Sequence, residues 1–430
     1  MASIVEPRVL GYEEARERVL DGVRPMPGDI VPLAEARGRA LRESIRAPHP
    51  LPPFRNSSMD GYATRSDDLA GASRERPVEL PVVEVLPAGR IASRALRARE
   101  AMRIMTGAAL PEGADAVVPF EDSERIGGPG EGAPPGHLDP LERARFVRPM
   151  RPGENVREAG ADLAAGDLAL EEGRDLSPHD LALLAGLGVA RLRVGPRPRA
   201  AIVSTGDELL PIEQPLRPGT IRDSNLPLLA ALLEEAGCEV VSAVRVPDDP
   251  ARVAARIREG LGEADVVLSI GGVSAGDFDP VKTGLGELSE IELWRVAMKP
   301  GRPQAFGRPG GRLFFGLPGN PASVACVFEA LVRPALRRLQ GFASLDRPRI
   351  RVRAAEAIES RAGRTDFVRA VLEQRSDAWW AAPAGAQISG HLTPQARAHA
   401  LLIVPEPVTR LAPGDPADAL VLRWPEPGPA

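Results

Sequence analysis

Four short polar segments of this chain carry the residue types of phosphate and metal chemistry: STGDE at 204–208, PDD at 247–249, GGVSAGDFD at 271–279 and LPGNP at 317–321. In the third, Gly271, Gly272, Ser274 and Gly276 form a turn suited to closing backbone N–H groups on an anion, because glycine admits positive φ and close approach. Asp277, Asp279 and Lys282 follow it directly. Carboxylates beside such a turn are the usual oxygen ligands of Mg²⁺, which bridges to phosphate. Taken singly, these residues also fit plainer roles. Asp248 and Asp249 suit the cap of the following helix, and Asp207 and Glu208 suit a solvated turn. Neither GxGxxG nor the GxxxxGK of a P-loop occurs, so dinucleotide binding and P-loop chemistry are not supported.

Two lysines stand out against an arginine background. Of 54 basic residues only Lys282 and Lys299 are lysine, and both lie near the third segment. An ammonium is a compact point charge whose place a planar guanidinium fork cannot take, so retained lysines point to specific anion contacts. Asparagine is equally sparse: Asn56, Asn155, Asn225 and Asn320, each expected in a Gly/Pro/Asp/Ser-rich loop, are expected to be held for specific contacts.

The elements that position these residues change character along the chain. A helix is expected over 11–22, then short β-like pieces (VELPVVEVLPAG, AMRIMTGAAL, ADAVVPFED) between 54 and 148, then a helix at about 178–187 entered through Ser177 and Pro178. From Arg199 the pattern alternates between buried strands (AAIVST, CEVVSAVRV, DVVLSIGG, LFFGLPG) and helices (LPLLAALLEEAG, DDPARVAARIREGL, and PASVACVFEALVRPALRRLQG with Asn320 as its cap). In an open parallel sheet, ligands bind beyond the carboxyl ends of the strands, where all four polar segments fall. After about 345, alternating segments predict a small all-β domain.

Composition narrows the function classes. Apolar residues make up 43% and charged residues 26%, as in ordinary globular proteins. A net charge of −5 offers no general attraction to nucleic acid or anionic membrane. No apolar run spans a bilayer, and the acidic start MASIVEPRVLGYEEARERVL lacks signal-peptide features, so a cytoplasmic protein is expected. Cys238 and Cys326 fit reduced core thiols, and five scattered histidines without CxxC make zinc improbable.

Seven motifs in order, FRNSSMDGYA, RIMTGAALPEGADAVV, GENVREAGAD, STGDEL, GGVSAGDFDPVK, MKPGRP and LPGNPAS, resemble the molybdopterin molybdenumtransferase family, relatives of the gephyrin catalytic domain. The resemblance implies a multidomain α/β protein. Its parts would be a discontinuous dimerisation region (1–53 plus 149–197), a β-rich insertion (54–148), a Rossmann-like parallel α/β molybdopterin-binding domain (198–343) and a small C-terminal β-barrel-like domain (344–430). It implies insertion of molybdate into adenylylated molybdopterin, with Mg²⁺-assisted release of AMP, by a homodimer supplied by a molybdopterin adenylyltransferase. By likeness, Asp279 with Asp248 would hold the metal, and Asp60, Thr106 and Glu208 would join the active site. Lys299, Arg302, Ser323, Arg369 and Ser389 would form the oxyanion pocket, Pro303 would contact substrate, and Lys282 would meet the ligand phosphates. Asp60 and Thr106 would reach the cleft from the other subunit.

Three positions depart from the family pattern: Arg55 stands where many relatives are acidic, Ala161 precedes Asp162 where an acidic pair is common, and Asp277 replaces a frequent Glu. Two other classes share parts of the pattern. A molybdopterin-binding scaffold would not need Asp60, Glu208, Asp248 and Asp279 all kept, and an adenylyltransferase-type nucleotide hydrolase shares only the α/β part.

Overall fold

The parallel strands are apolar on both faces because helices cover both sides. In Arg199–Thr205, Ala200 and Ile202 cluster with Leu229 and Leu233 of the helix Asn225–Glu235, while Ala201 and Val203 cluster with Val253 and Ile257 of the helix Pro250–Glu263. The computed structural model describes residues 8–127, 138–272, 290–376 and 378–426. Ser274, Gly276, Asp277, Asp279 and Lys282 lie outside the described residues.

The chain forms two compact units, one of Met1–Glu43, Glu172–Ser177 and Arg191–Ala430, the other of Ser44–Glu171 and Pro178–Ala190. The larger unit holds a continuous 12-stranded sheet. Its α/β part runs, in spatial order, Glu239–Val246, Arg199–Thr205, Val266–Ile270, Leu313–Leu317, Pro303–Gly307 and Ile291–Lys299. The first four strands are mutually parallel. Pro303–Gly307 is antiparallel to both Leu313–Leu317 and Ile291–Lys299, which makes Ile291–Lys299 parallel to the first four. Arg8–Gly11 adds a further parallel strand on Ile291–Lys299, and the first helix follows as Tyr12–Asp21.

The same sheet continues into the C-terminal β domain. Lys299 pairs with Asp366 and Met298 with Thr365. Beyond that junction Thr365–Arg375, Ala378–Pro383, Arg349–Ala354, Pro416–Val421 and Ala400–Val404 pair in turn, and the last returns to the first, closing a small barrel. Closure removes the sheet edges, and the barrel interior is filled by Val352, Val368, Ala381, Leu402 and Ala419 among others.

The last helical segment contains a π turn at Phe328–Val332 between α segments Pro321–Val327 and Arg333–Gln340. Glu329 is buried there and receives Arg347 at 2.8 and 3.0 Å. In the smaller unit a six-stranded mixed sheet runs Ala116–Pro119, Gly61–Thr64, Ala101–Ile104, Val78–Leu86, Arg143–Phe146 and Ser123–Ile126. Tyr62 is buried on the second strand, edge-on to Phe120 and Phe146.

Candidate functional site

One sheet edge collects the polar segments. The parallel strands end at Thr205, Val246, Ile270, Leu317 and Lys299, so the loops that follow all leave from the same edge. The sequence pattern anticipated four of these. The fifth, which brings Lys299 to that edge, depends on the strands Ile291–Lys299 and Pro303–Gly307, which were not expected. The six strands from Glu239–Val246 to Ile291–Lys299 put five strand gaps, roughly 24 Å, between the Asp248 end of the edge and the Lys299 end.

At the first end the STGDE and PDD loops interlock. The Thr205 hydroxyl donates to Asp248 Oδ1 at 2.6 Å, the Asp207 amide donates to Oδ2 at 3.2 Å, and the Asp248 amide donates back to Asp207 Oδ1 at 3.1 Å. The two aspartates of PDD have separate tasks. Asp249 caps the helix Pro250–Glu263, accepting from the Arg252 amide at 3.0 Å, whereas Asp248 faces the neighbouring loop and is exposed. Glu208 is exposed beside them. Gly271 is required where it stands: its φ is +85°, and an added Cβ would lie 2.8 Å from the Thr205 carbonyl oxygen. Among the described residues, no group of three or more His, Cys, Asp or Glu side chains forms a metal site.

Sequence reasoning missed Asp223, which organises this end from within. It is buried, with Oδ2 accepting from Ser204 at 2.9 Å and Arg245 at 3.3 Å, and Oδ1 accepting from the amides of Asn225 and Leu226. A carboxylate two and three residues before those amides is a helix-start signal that IRDSN carries openly. Asn225 therefore begins a helix, correcting the loop expectation, and its Nδ2 ties the Gly319 carbonyl at 2.6 Å. Asn155 has φ +58°, a conformation asparagine tolerates, and its Nδ2 donates to the Val117 carbonyl at 2.9 Å. Asn320 precedes its helix as expected, but its carbonyl, and not its side chain, receives the Ser323 and Val324 amides.

At the other end, Lys299 and Arg369 line one cavity of about 180 Å³ with Pro300, Asp366 and Gln387. Lys299 is exposed on its rim, and the Asp366 carboxylate is held by Arg364 at 2.7 and 3.2 Å. The MKPGRP turn is fixed by Gln304, whose Nε2 donates to the Gly301 carbonyl at 2.7 Å, and by the Val296 amide donating to the Arg302 carbonyl at 2.8 Å. Gly301 has φ +108°, and a Cβ there would collide with Val327. Arg302 is exposed, and Pro303 pairs with Arg295 at the start of the antiparallel strand. Ser323 is buried in the first turn of the helix Pro321–Val327, and the Ser389 carbonyl accepts from the adjacent Ala322 amide at 3.1 Å.

Arg369 has a structural task beside the role expected for it. It is buried, and its guanidinium donates to the carbonyls of Ala386, Ile388 and His391 at 3.2, 3.1 and 3.1 Å and to Gln387 Oε1 at 3.3 Å. Its donors hold the loop that carries Ser389, and burial depresses the guanidinium's pKa because desolvation disfavours the charge.

In the smaller unit, Asp60 and Thr106 form a pair of their own. The Thr106 amide and hydroxyl both donate to Asp60 Oδ1, at 2.6 and 2.8 Å, and these bonds hold the carboxyl below its ordinary pKa. Arg55, the first departure from the family pattern, meets both oxygens of Glu158 at 3.0 and 2.9 Å.

Three family models match the chain in succession: the MoeA N-terminal region (domain I and II) over residues 10–188, the probable molybdopterin binding domain over 201–338, and the MoeA C-terminal region (domain IV) over 351–422. Molybdopterin molybdenumtransferase 2 of Mycobacterium tuberculosis is 38% identical over 408 residues, covering 94% of this chain and 97% of the relative. The chain belongs to the molybdopterin molybdenumtransferase family. The Nostoc molybdopterin molybdenumtransferase is 35% identical over 403 residues, covering 92% of this chain and 89% of its own. Among solved structures, the molybdopterin biosynthesis moeA protein of Pyrococcus horikoshii superposes with a TM-score of 0.80 at 28% identity, covering 96% of this chain and 100% of that one. As a member of this family the chain is a transferase of molybdenum cofactor biosynthesis.

Proposed function

We propose that the chain inserts molybdate into adenylylated molybdopterin, hydrolysing the pyrophosphate link and releasing AMP with the finished cofactor. The observation that carries this is the single sheet edge with an acidic, glycine-turned end at Asp248 and Gly271 and a cationic end at Lys299. Loops from all five parallel strands leave this one edge, so an extended nucleotide-bearing ligand laid along it would meet carboxylates, a glycine turn and a lysine. At the second end, Lys299, Arg302, Ser323 and Ser389 would receive the molybdate oxygens, with Pro303 in contact with the substrate, in a loop framework held by Arg369.

Asp248, with Asp279, would hold Mg²⁺. The donor set fits a hard cation: each Asp248 oxygen accepts one protein hydrogen bond and keeps further lone pairs. When bound, the ion would neutralise phosphate charge. Glu208 and Lys282 would serve the same end, with Gly272, Ser274 and Gly276 continuing the turn. Asp60 and Thr106 belong to the reading through family likeness and their mutual hydrogen bonds. A homodimer, a cytoplasmic setting and supply by a molybdopterin adenylyltransferase complete it, and no helix among the described residues is long and apolar enough to cross a membrane.

The test is anaerobic incubation of the full chain with adenylylated molybdopterin, Mg²⁺ and molybdate. AMP should appear with kinetics that depend on molybdate and on Mg²⁺. Failure to release AMP from authentic substrate would reject the reading.

A further inference from the structure

The loop 385–391 carries Ser389 but makes no regular secondary structure of its own, so something outside the backbone ladder must fix it. The strand Ala378–Pro383 leaves its partner just where Arg369 needs a neighbour: Ala370 pairs with Pro383, and the Ala384 amide takes the Arg369 carbonyl at 2.8 Å. The Arg369 amide is met instead by a side chain. Gln387 Oε1 accepts from that amide at 3.0 Å and from Arg369 Nε at 3.3 Å, while Gln387 Nε2 donates to the carbonyls of Arg369 at 3.1 Å and Gly385 at 2.8 Å. A primary amide is suited to this because it offers both an acceptor and two donors, matching a strand's exposed N–H and C=O.

We infer that Gln387 is the positioning residue of the oxyanion pocket. It stands in for the missing strand partner and locks Arg369 so that the guanidinium fork gathers the carbonyls of residues 386, 388 and 391. The gathered loop then seats the Ser389 carbonyl on the Ala322 amide, beside Ser323. Gln387 also lines the cavity shared with Lys299, so the side chain that sets the loop faces the same space. That cavity, about 180 Å³, is several times the ~30 Å³ share of a water molecule. This inference rests on the oxyanion-pocket reading of the proposed function.

Gln387→Glu is nearly isosteric, yet it removes both Nε2 donors and turns a carboxylate toward two carbonyls and the oxyanion. The expected result in the AMP-release assay is a KM for molybdate raised about 10-fold or more, because each tenfold is only ~1.4 kcal/mol of lost interaction. The KM for adenylylated molybdopterin should stay within about twofold. A role limited to folding would lower the amount of active protein, and hence apparent kcat, without moving the molybdate KM. Gln387→Met, neutral and similar in size, is the second variant should the glutamate form not fold, with the same expectation. Arg369→Lys should be non-additive with either Gln387 variant, since both act on one loop.

Ser389→Ala separates the two levels of the argument. If it raises the molybdate KM and the Gln387 variants do not, the positioning role is overturned and the pocket stands. If neither change moves that KM, the oxyanion pocket is misplaced and the inference falls with it. Additive effects of Arg369→Lys and the Gln387 variants would overturn the coupling between the two residues.

Discussion

Lys299 is one of only two lysines in a chain that elsewhere uses arginine, and it lies on the rim of the cavity shared with Arg369. Lys299→Arg should lower molybdate-dependent AMP release by about 10-fold or more, because a wider planar cation displaces the oxyanion. Activity within twofold of the parent would show the lysine to be incidental. Asp60 allows a spectroscopic test. Thr106 donates twice to one of its oxygens and lowers its pKa. Thr106→Val removes the hydroxyl donor, so the Asp60 carboxyl, followed by NMR titration, should move back up toward the ordinary aspartate value of ~3.9. A carboxyl whose folded pKa is depressed contributes stability that is present above its unfolded pKa and is lost as pH falls through the folded value. The stability gap between parent and variant should therefore be full at neutral pH and close in acid; a gap independent of pH would mean the hydroxyl acts by packing alone.

At the scale of elements, adjacent aspartates divide their work. Asp249 caps the helix Pro250–Glu263 and Asp248 serves the strand edge. Asp249→Ala should cost about 1 kcal/mol of stability, seen in denaturant or thermal melts, and leave the Mg²⁺ dependence of AMP release unchanged. Asp248→Asn should shift that Mg²⁺ dependence to higher concentration and leave the helix intact. The reverse pattern would exchange the two assignments. The MKPGRP turn makes a different demand. Gly301 combines positive φ with contact against Val327, so Gly301→Ala should destabilise the protein by about 2 kcal/mol or more. A melting temperature equal to the parent's would show that the turn relaxes at no cost.

At the scale of the molecule, one sheet joins the α/β part to the barrel through the pairing of Lys299 with Asp366. Two regions that sequence pattern separates at about residue 344 are thereby parts of one compact unit. The cavity of the proposed oxyanion pocket is built across that seam, with Lys299 from the α/β strand and Arg369 and Gln387 from the barrel domain. The proposed homodimer is tested at this scale as well. Light scattering at micromolar concentration should give about twice the 45.7 kDa chain mass, and a purely monomeric species would contradict it.

The sequence alone determined what local chemistry dictates. Apolar runs between turn formers marked the parallel strands Arg199–Thr205, Glu239–Val246 and Val266–Ile270, because a strand covered on both faces has no polar alternation to hide it. The glycine turn at Gly271, the Asp248–Asp249 pair and the two lysines were legible as residue types that only particular contacts require. Tertiary structure decided what depends on partners distant in the chain. Nothing local tells Ile291–Lys299 to lie two strands beyond Leu313–Leu317 with Lys299 at the same edge, since its burial alternates and its neighbours come from both sides of the sequence. Nothing local assigns the donors of Arg369 to carbonyls of residues 386–391, or the amide of Gln387 to a strand eighteen residues earlier. Hydrogen bonds to backbone carbonyls carry no side-chain signature in the partner, so a pattern of residue types cannot reveal them and the folded chain alone sets them.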